Sequence, residues 1–256
     1  MKTQIFSINH CGNKYEVATN FRQRGREMVF LIHGLGCSKA SFRDIWQRDE
    51  FSDYSILAID LIGFGDSAKS EIFSYKMEDH AAVCAQVVKQ TSASRVHIVA
   101  HSMGGAIGLL LPTELFDSVK SFANLEGNLT GEQCGFVSRK TISVTLDRFE
   151  EDVLPDLKSL SKTLGEGRFF LDSMLPFGFY KSAESLVDWS DSGELLSRFL
   201  NLPCNKSYFY GQENAGMAVL DRLDDIEKVM IDNSGHFLMN DNPNEFYVRL
   251  REFLTS

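Results

Sequence analysis

Short, uninterrupted apolar runs alternate with helix-period segments along most of this chain. Met28-Val29-Phe30-Leu31-Ile32, Ser55-Ile56-Leu57-Ala58-Ile59-Asp60 and Val96-His97-Ile98-Val99 carry little polar alternation, as expected of strands buried on both faces of a sheet. Residues 119–125, 206–210 and 227–231 read as three more strands. Residues 3–8 and 14–18 alternate loosely around Asn9-His10-Cys11-Gly12-Asn13 and predict a hairpin at the sheet edge. Between the strands, helices are expected over 38–47, through Met77, His80, Ala81, Cys84, Val87 and Val88, over 103–111 and near 215–224. The final helix carries Phe246, Leu250, Phe253 and Leu254 on one face. Strand–helix alternation of this kind builds a mostly parallel, eight-stranded α/β sheet flanked by helices.

The alternation stops at residue 126 and resumes at 206. Residues 127–202 read as several helices with Gly and Pro breaks. The expected organisation is therefore a core made of 1–126 and 203–256, with 127–202 as a helical cap inserted after the sixth strand. Ligands of parallel α/β sheets bind beyond the carboxyl ends of the strands. His33, Asp60, Ser102, Glu126, Gly211-Gln212-Glu213-Asn214 and His236 all fall just past strand ends.

Composition narrows the partners. The 256 residues are 43% hydrophobic and 24% charged, with a net charge of −9. These values are ordinary for a globular protein, and the acidic balance argues against nucleic acid, which requires a basic patch. No apolar stretch approaches the length of a membrane span. The five cysteines are scattered without metal-binding spacing, so free thiols in a reducing cytoplasm are expected and neither metal nor organic cofactor is. A small-molecule substrate and a monomer or homodimer complete this picture.

The stretch Ala100-His101-Ser102-Met103-Gly104-Gly105 follows a buried strand and opens a small-residue helix. A nucleophile on a sharp strand-to-helix turn requires that arrangement, because small neighbours let strand and helix approach closely. A serine hydroxyl needs a base to take its proton and a third group to orient that base. His236, in the loop Asn233-Ser234-Gly235-His236-Phe237 after the last strand, is the candidate base.

His33-Gly34-Leu35-Gly36, Asp60-Leu61-Ile62-Gly63-Phe64-Gly65-Asp66-Ser67, Ala100-His101-Ser102-Met103-Gly104-Gly105 and Ser234-Gly235-His236 together resemble the α/β-hydrolase superfamily. The resemblance spans nearly the whole chain and is weakest in 127–202. It implies Ser102 as nucleophile, His236 as base, and an oxyanion hole from the backbone N–H groups of Leu35 and Met103. His33, Gly34 and His101 are expected beside the substrate, and Asp60, Gly63, Gly65 and Asp66 in a structural role. Ala100 replaces the Gly that usually leads the nucleophile motif. The acid departs from the pattern: where the family usually has Asp, this chain has Asn214. Glu126 ends the strand at which haloalkane dehalogenases carry their acid and is the first choice; Glu213 is the second, with Asp221 and Asp224 behind it. The implied activity is hydrolysis of a carboxylic ester or related acyl bond of a small to medium apolar substrate. C–C, lactone, thioester and amide cleavage stay open, since fold does not fix chemistry. A ligand-binding or signalling protein with vestigial turnover is the alternative from another class, favoured only by Asn214. Cys37 is expected to pack as a small buried thiol; of the aromatic residues of 127–202 (Phe136, Phe169, Phe170, Phe177, Phe179, Tyr180 and Trp189) most are expected to pack the cap against itself and a few to line an apolar acyl or alkyl pocket.

Overall fold

The computed structural model describes residues 3–165 and 168–256. Eight strands form one sheet: β1 (Thr3–His10), β2 (Asn13–Arg22), β3 (Glu27–Ile32), β4 (Ser55–Ile59), β5 (Arg95–His101), β6 (Val119–Leu125), β7 (Asn205–Gly211) and β8 (Glu227–Ile231). Their order is β1-β2-β4-β3-β5-β6-β7-β8. β1 and β2 run antiparallel to each other, β2 runs antiparallel to β4, and every other pairing is parallel. Met28 through Ile32 are fully buried, the consequence of a central strand covered on both faces.

Two helices fill the first half of the core, α1 (Met77–Lys89) and α2 (Met103–Leu109). The short α3 (Thr113–Phe116) then leads into β6. The helix expected over 103–111 stops at Leu109. Pro112 disfavours helical backbone in the residue before it, and Leu110 has already left the helix at φ −101°, ψ 5°.

Between β6 and β7 the chain is helical, as its pattern implies: α4 (Phe136–Ile142), α5 (Leu146–Arg148), α6 (Leu154–Leu164), α7 (Pro176–Ser192) and α8 (Glu194–Leu200). This insertion hangs on loops at the strand ends. Phe170 N–H donates to Gly36 O at 2.8 Å and Leu175 N–H to Gly63 O at 2.7 Å. At Gly36, where φ is +69°, a β-carbon would lie 2.8–2.9 Å from Leu171 and Phe179 of the insertion. Only glycine serves there, on grounds of both backbone and space. The chain closes with α9 (Leu238–Asp241) and α10 (Pro243–Thr255), the latter burying Phe246, Leu250, Phe253 and Leu254.

Three elements differ from expectation. The hairpin turn is only Cys11-Gly12, with φ of 47° and 77°, so both strands run longer than their alternation suggested. The segment 38–47 winds as a 3-10 helix, Lys39–Gln47, broken at Phe42. Lys39 opens this helix, its backbone N–H and ammonium both bound to the buried Asp60 carboxylate. Near 215–224 there is no α-helix, but two 3-10 turns, Gln212–Asn214 and Ala218–Arg222. Met217 between them is extended, and the Asn214 side chain is committed elsewhere.

Candidate active site

Ser102 stands between β5 and α2 with φ 52° and ψ −121°, a conformation rare for a residue with a side chain. Holding such a residue costs on the order of 1–3 kcal/mol and needs surroundings that over-determine it. The surroundings here are backbone. Ser102 N–H donates to Leu125 O at 3.0 Å and Ser102 O accepts Gly105 N–H at 2.8 Å. A β-carbon at Gly104 would collide with Ile32 O, and one at Gly105 would lie 2.6 Å from Gly127 Cα. The helix start therefore wedges between β3 and the end of β6, and the serine is thrown outward.

Glu126, just past β6, is also at positive φ (45°), and its side chain is buried. Its Oε2 lies 2.8 Å from His236 Nδ1. Gly211 N–H donates to Oε1 at 2.8 Å, and the Asn214 amide donates to Oε1 at 2.9 Å and Oε2 at 3.0 Å. Burial pushes the Glu126 carboxyl pKa up, but the donors from His236, Gly211 and Asn214 outweigh it and hold it below the ordinary value. Asn214 occupies the position of the expected acid and serves as a donor to a carboxylate one strand away. Sequence order alone could have suggested that partnership, because 126 and 214 follow neighbouring parallel strands.

Glu213 is exposed. Its backbone N–H bonds Ser234 O at 3.1 Å, and its carboxylate lies over Gly235 rather than on the imidazole. Asp221 and Asp224 are exposed as well.

The residues around the His-Gly pair divide. His33 is fully buried with both ring nitrogens engaged, Nδ1 with Gly34 O at 2.8 Å and Nε2 with Leu61 N–H at 3.1 Å. It braces two loops, and the cavity lining is supplied by its neighbours. Gly34 lies against the serine: a β-carbon there would be 3.0 Å from Ser102 Cβ. The backbone N–H groups of Leu35 and Met103 have no hydrogen-bond partner among the described residues. His101 packs beneath the candidate base, with ring centroids 4.7 Å apart, and its Nε2 bonds His236 O at 2.9 Å. Burial holds the His101 pKa well below that of an ordinary histidine, so its ring is neutral.

Ser102, His236 and Glu126 border one cavity of about 330 Å³. Leu35, Phe169, Leu186, Met217 and Phe237 give it apolar walls, and Asn128, Glu132, Gln133 and Ser138 add polar groups from the insertion side. Phe169 packs edge-on against Phe237 at 5.1 Å, joining the insertion to the residue after His236. Phe136 also reaches the cavity, at its exposed mouth, whereas Phe179 is stacked on Phe149 inside the insertion. Cys37 borders the cavity too, but burial pushes its thiol to about 12, which leaves it un-ionised and inert.

An imidazole backed by a buried carboxylate, beside a serine on a strained turn, can perform nucleophilic chemistry on a bound acyl group. Over 103 residues the chain is 36% identical to a probable lysophospholipase, BODYGUARD 5 of Arabidopsis thaliana, covering 38% of this chain and 23% of that protein. It is 32% identical over 111 residues to Lipase 3 of Moraxella sp., covering 43% of this chain and 34% of that one. The matched region thus spans about a quarter to a third of these relatives' lengths. An esterase from Thermogutta terrifontis superposes with a TM-score of 0.74 at 18% identity, covering all of this chain and 98% of the esterase. The family model described as alpha/beta hydrolase fold matches residues 27–166. That match takes in more than half of the sequence and includes the Ser102 turn and Glu126, and the chain belongs to the alpha/beta hydrolase fold family.

Proposed function

We propose that this protein is a serine hydrolase that cleaves a carboxylic ester, or a related acyl bond, of a small to medium apolar substrate. The observation that carries the reading is the 2.8 Å contact of His236 with buried Glu126 at the cavity that Ser102 also borders. Ser102 Oγ attacks the acyl carbon as His236 Nε2 takes its proton. The N–H groups of Leu35 and Met103, unpaired among the described residues, receive the oxyanion; such a donor is worth roughly 3–4 kcal/mol of barrier. Glu126 holds Nδ1–H and stabilises the imidazolium. His236 returns the proton to the leaving alcohol, and water, activated by the same base, releases the acid. No step calls for a metal or organic cofactor.

The polar groups that balance this acid support the assignment. Asn214 in the usual acid position was the one feature favouring a vestigial site, and its bond to Glu126 turns it into support for a working base. In this reading residues 127–202 are the cap, which closes a cavity at the small end of ligand pockets. Among the described residues no helix is long and apolar enough to cross a membrane. All five cysteines are free, which fits work in the reducing cytoplasm. A fluorophosphonate probe tests the proposal. Labelling of the wild type that disappears in Ser102→Ala is expected; an unlabelled wild type that is also inactive on p-nitrophenyl esters of graded chain length overturns it.

A further inference from the structure

We propose that His10, Cys11 and Asp79 form a site for one borderline transition-metal ion, Zn(II) being the ion their donors suit. The three lie where the β1–β2 turn meets the first turn of α1, outside the cavity of Ser102. One imidazole nitrogen, one sulfur and one carboxylate oxygen lie within 4.8 Å of one another, and His10 Nε2 is 2.8 Å from Asp79 Oδ1. Tetrahedral zinc bonds of about 2.0–2.3 Å place ligand atoms roughly 3.3–3.8 Å apart, so closure asks for a shift of about 1 Å. Cys11, exposed at the tip of a two-residue turn, can supply it by side-chain rotation.

The donor set selects the ion. Thiolate and imidazole suit zinc and its neighbours, whereas magnesium and calcium take oxygen. Three protein ligands leave a fourth position facing solvent, which water fills.

The surroundings orient the ligands. Ser74 Oγ hydrogen-bonds Asp79 Oδ2, leaving Oδ1 to face His10. The His10 ring packs on Phe73 at 5.9 Å. Such supporting contacts accompany metal ligands. An ion pair between His10 and Asp79 accounts for two of the three groups and leaves the thiol without a purpose. Cys11 has φ 47°, at a turn position that favours Asn, Asp or Gly. The spacing of cysteines along the chain could not reveal the site, because Asp79 arrives from a distant helix.

Binding balances without electron transfer. The Cys11 thiol releases its proton to solvent and the thiolate bonds the metal. His10 ligates as the neutral imidazole with its proton on Nδ1, so that the Nε2 lone pair and the Asp79 oxygen that faced it are both free for the metal. The ion then ties the edge hairpin to α1 and stabilises the fold by mass action.

The test is titration of the full chain with Co(II) in a chelator-free buffer, followed by displacement with Zn(II). One equivalent of Co(II) is expected to give a thiolate-to-metal charge-transfer band, and Zn(II) to raise Tm. Cys11→Ser abolishes the band, Asp79→Asn weakens binding at least about tenfold, and Ser74→Ala weakens it about 10–100-fold. Absence of the band in wild type at roughly tenfold excess of metal overturns the proposal, as does its persistence in Cys11→Ser. Retention of the metal-free Tm by Asp79→Asn, which keeps the carboxylate's shape, separates lost ligation from lost folding.

Discussion

The Asn214 amide nitrogen sits 2.9 and 3.0 Å from the two oxygens of the Glu126 carboxylate. The residue standing where the family usually has its acid thus hydrogen-bonds Glu126, the carboxylate proposed for that role at the end of the neighbouring strand. Together with Gly211 N–H it satisfies the lone pairs that His236 leaves free, so the buried charge has partners on every side. Glu126→Gln is expected to lower kcat by about 10²–10⁴, in line with loss of a triad acid, while Glu213→Gln leaves it within about threefold. Asn214→Asp sets two carboxylates against each other, so one must take a proton near neutrality. Steady-state kinetics should show turnover lowered above neutrality, where both carboxylates ionise, that recovers as pH falls into the proton-sharing range. Equal losses in Glu126→Gln and Glu213→Gln would contradict the assignment.

Asp241 joins the insertion to the loop that carries His236, the proposed base. One carboxylate oxygen takes the Arg168 guanidinium, with Nε at 3.0 Å, and the other accepts Gly235 N–H at 3.0 Å. Asp241→Ala should release both. Small misplacements at an active site cost up to about 10²-fold, so a fall in kcat of about tenfold with a raised KM is expected. Arg168→Gln frees only the insertion side and should raise KM while largely sparing kcat.

Phe169 forms cavity wall between Leu35 and Phe237. Phe169→Ala should lengthen the pocket and move the best p-nitrophenyl ester toward longer acyl chains. Because Phe169 is only half-buried, the stability loss should stay below the roughly 3–5 kcal/mol of a fully buried Phe→Ala change. An unchanged chain-length profile would mean that the acyl group lies elsewhere.

Four buried histidines make stability fall with acid. Burial lowers the pKa of His33, His97 and His101, and takes that of His80 to about 3. The unfolded chain binds protons at these residues below its ordinary value of about 6.5, while the native state does not, so stability drops as pH falls below that point. Each group contributes about 1.4 kcal/mol per pH unit until its own native pKa is reached. Glu126, whose native pKa is depressed, adds a loss at lower pH, between its unfolded and native values. Urea midpoints measured from pH 7 to pH 4 should decline, and His80→Gln should flatten the slope.

The order of elements was legible in the chain itself. Continuous apolar runs mark β3 to β5 because central parallel strands are buried on both faces and tolerate no alternation. The Ser102 turn was legible because small residues at 100, 104 and 105 are the local price of a side chain at positive φ. Local winding was less legible. The break at Phe42 and the extended backbone of Met217 interrupt the expected helices, and apolar periodicity registers neither.

At the site, the candidates past the strand ends followed from topology, since parallel strands bring their carboxyl ends to one rim. Which carboxylate faces His236 did not. Glu126 and Glu213 are equally acidic in sequence, and both come within reach of the same loop. The direction of each side chain decides, set by the positive φ at Glu126 and by the turn that lays Glu213 over Gly235. Likewise His33 is buried as a brace while neighbouring Gly34 abuts the serine. Residue order places groups at strand ends; only the packing of neighbouring strands and loops determines which way each one points.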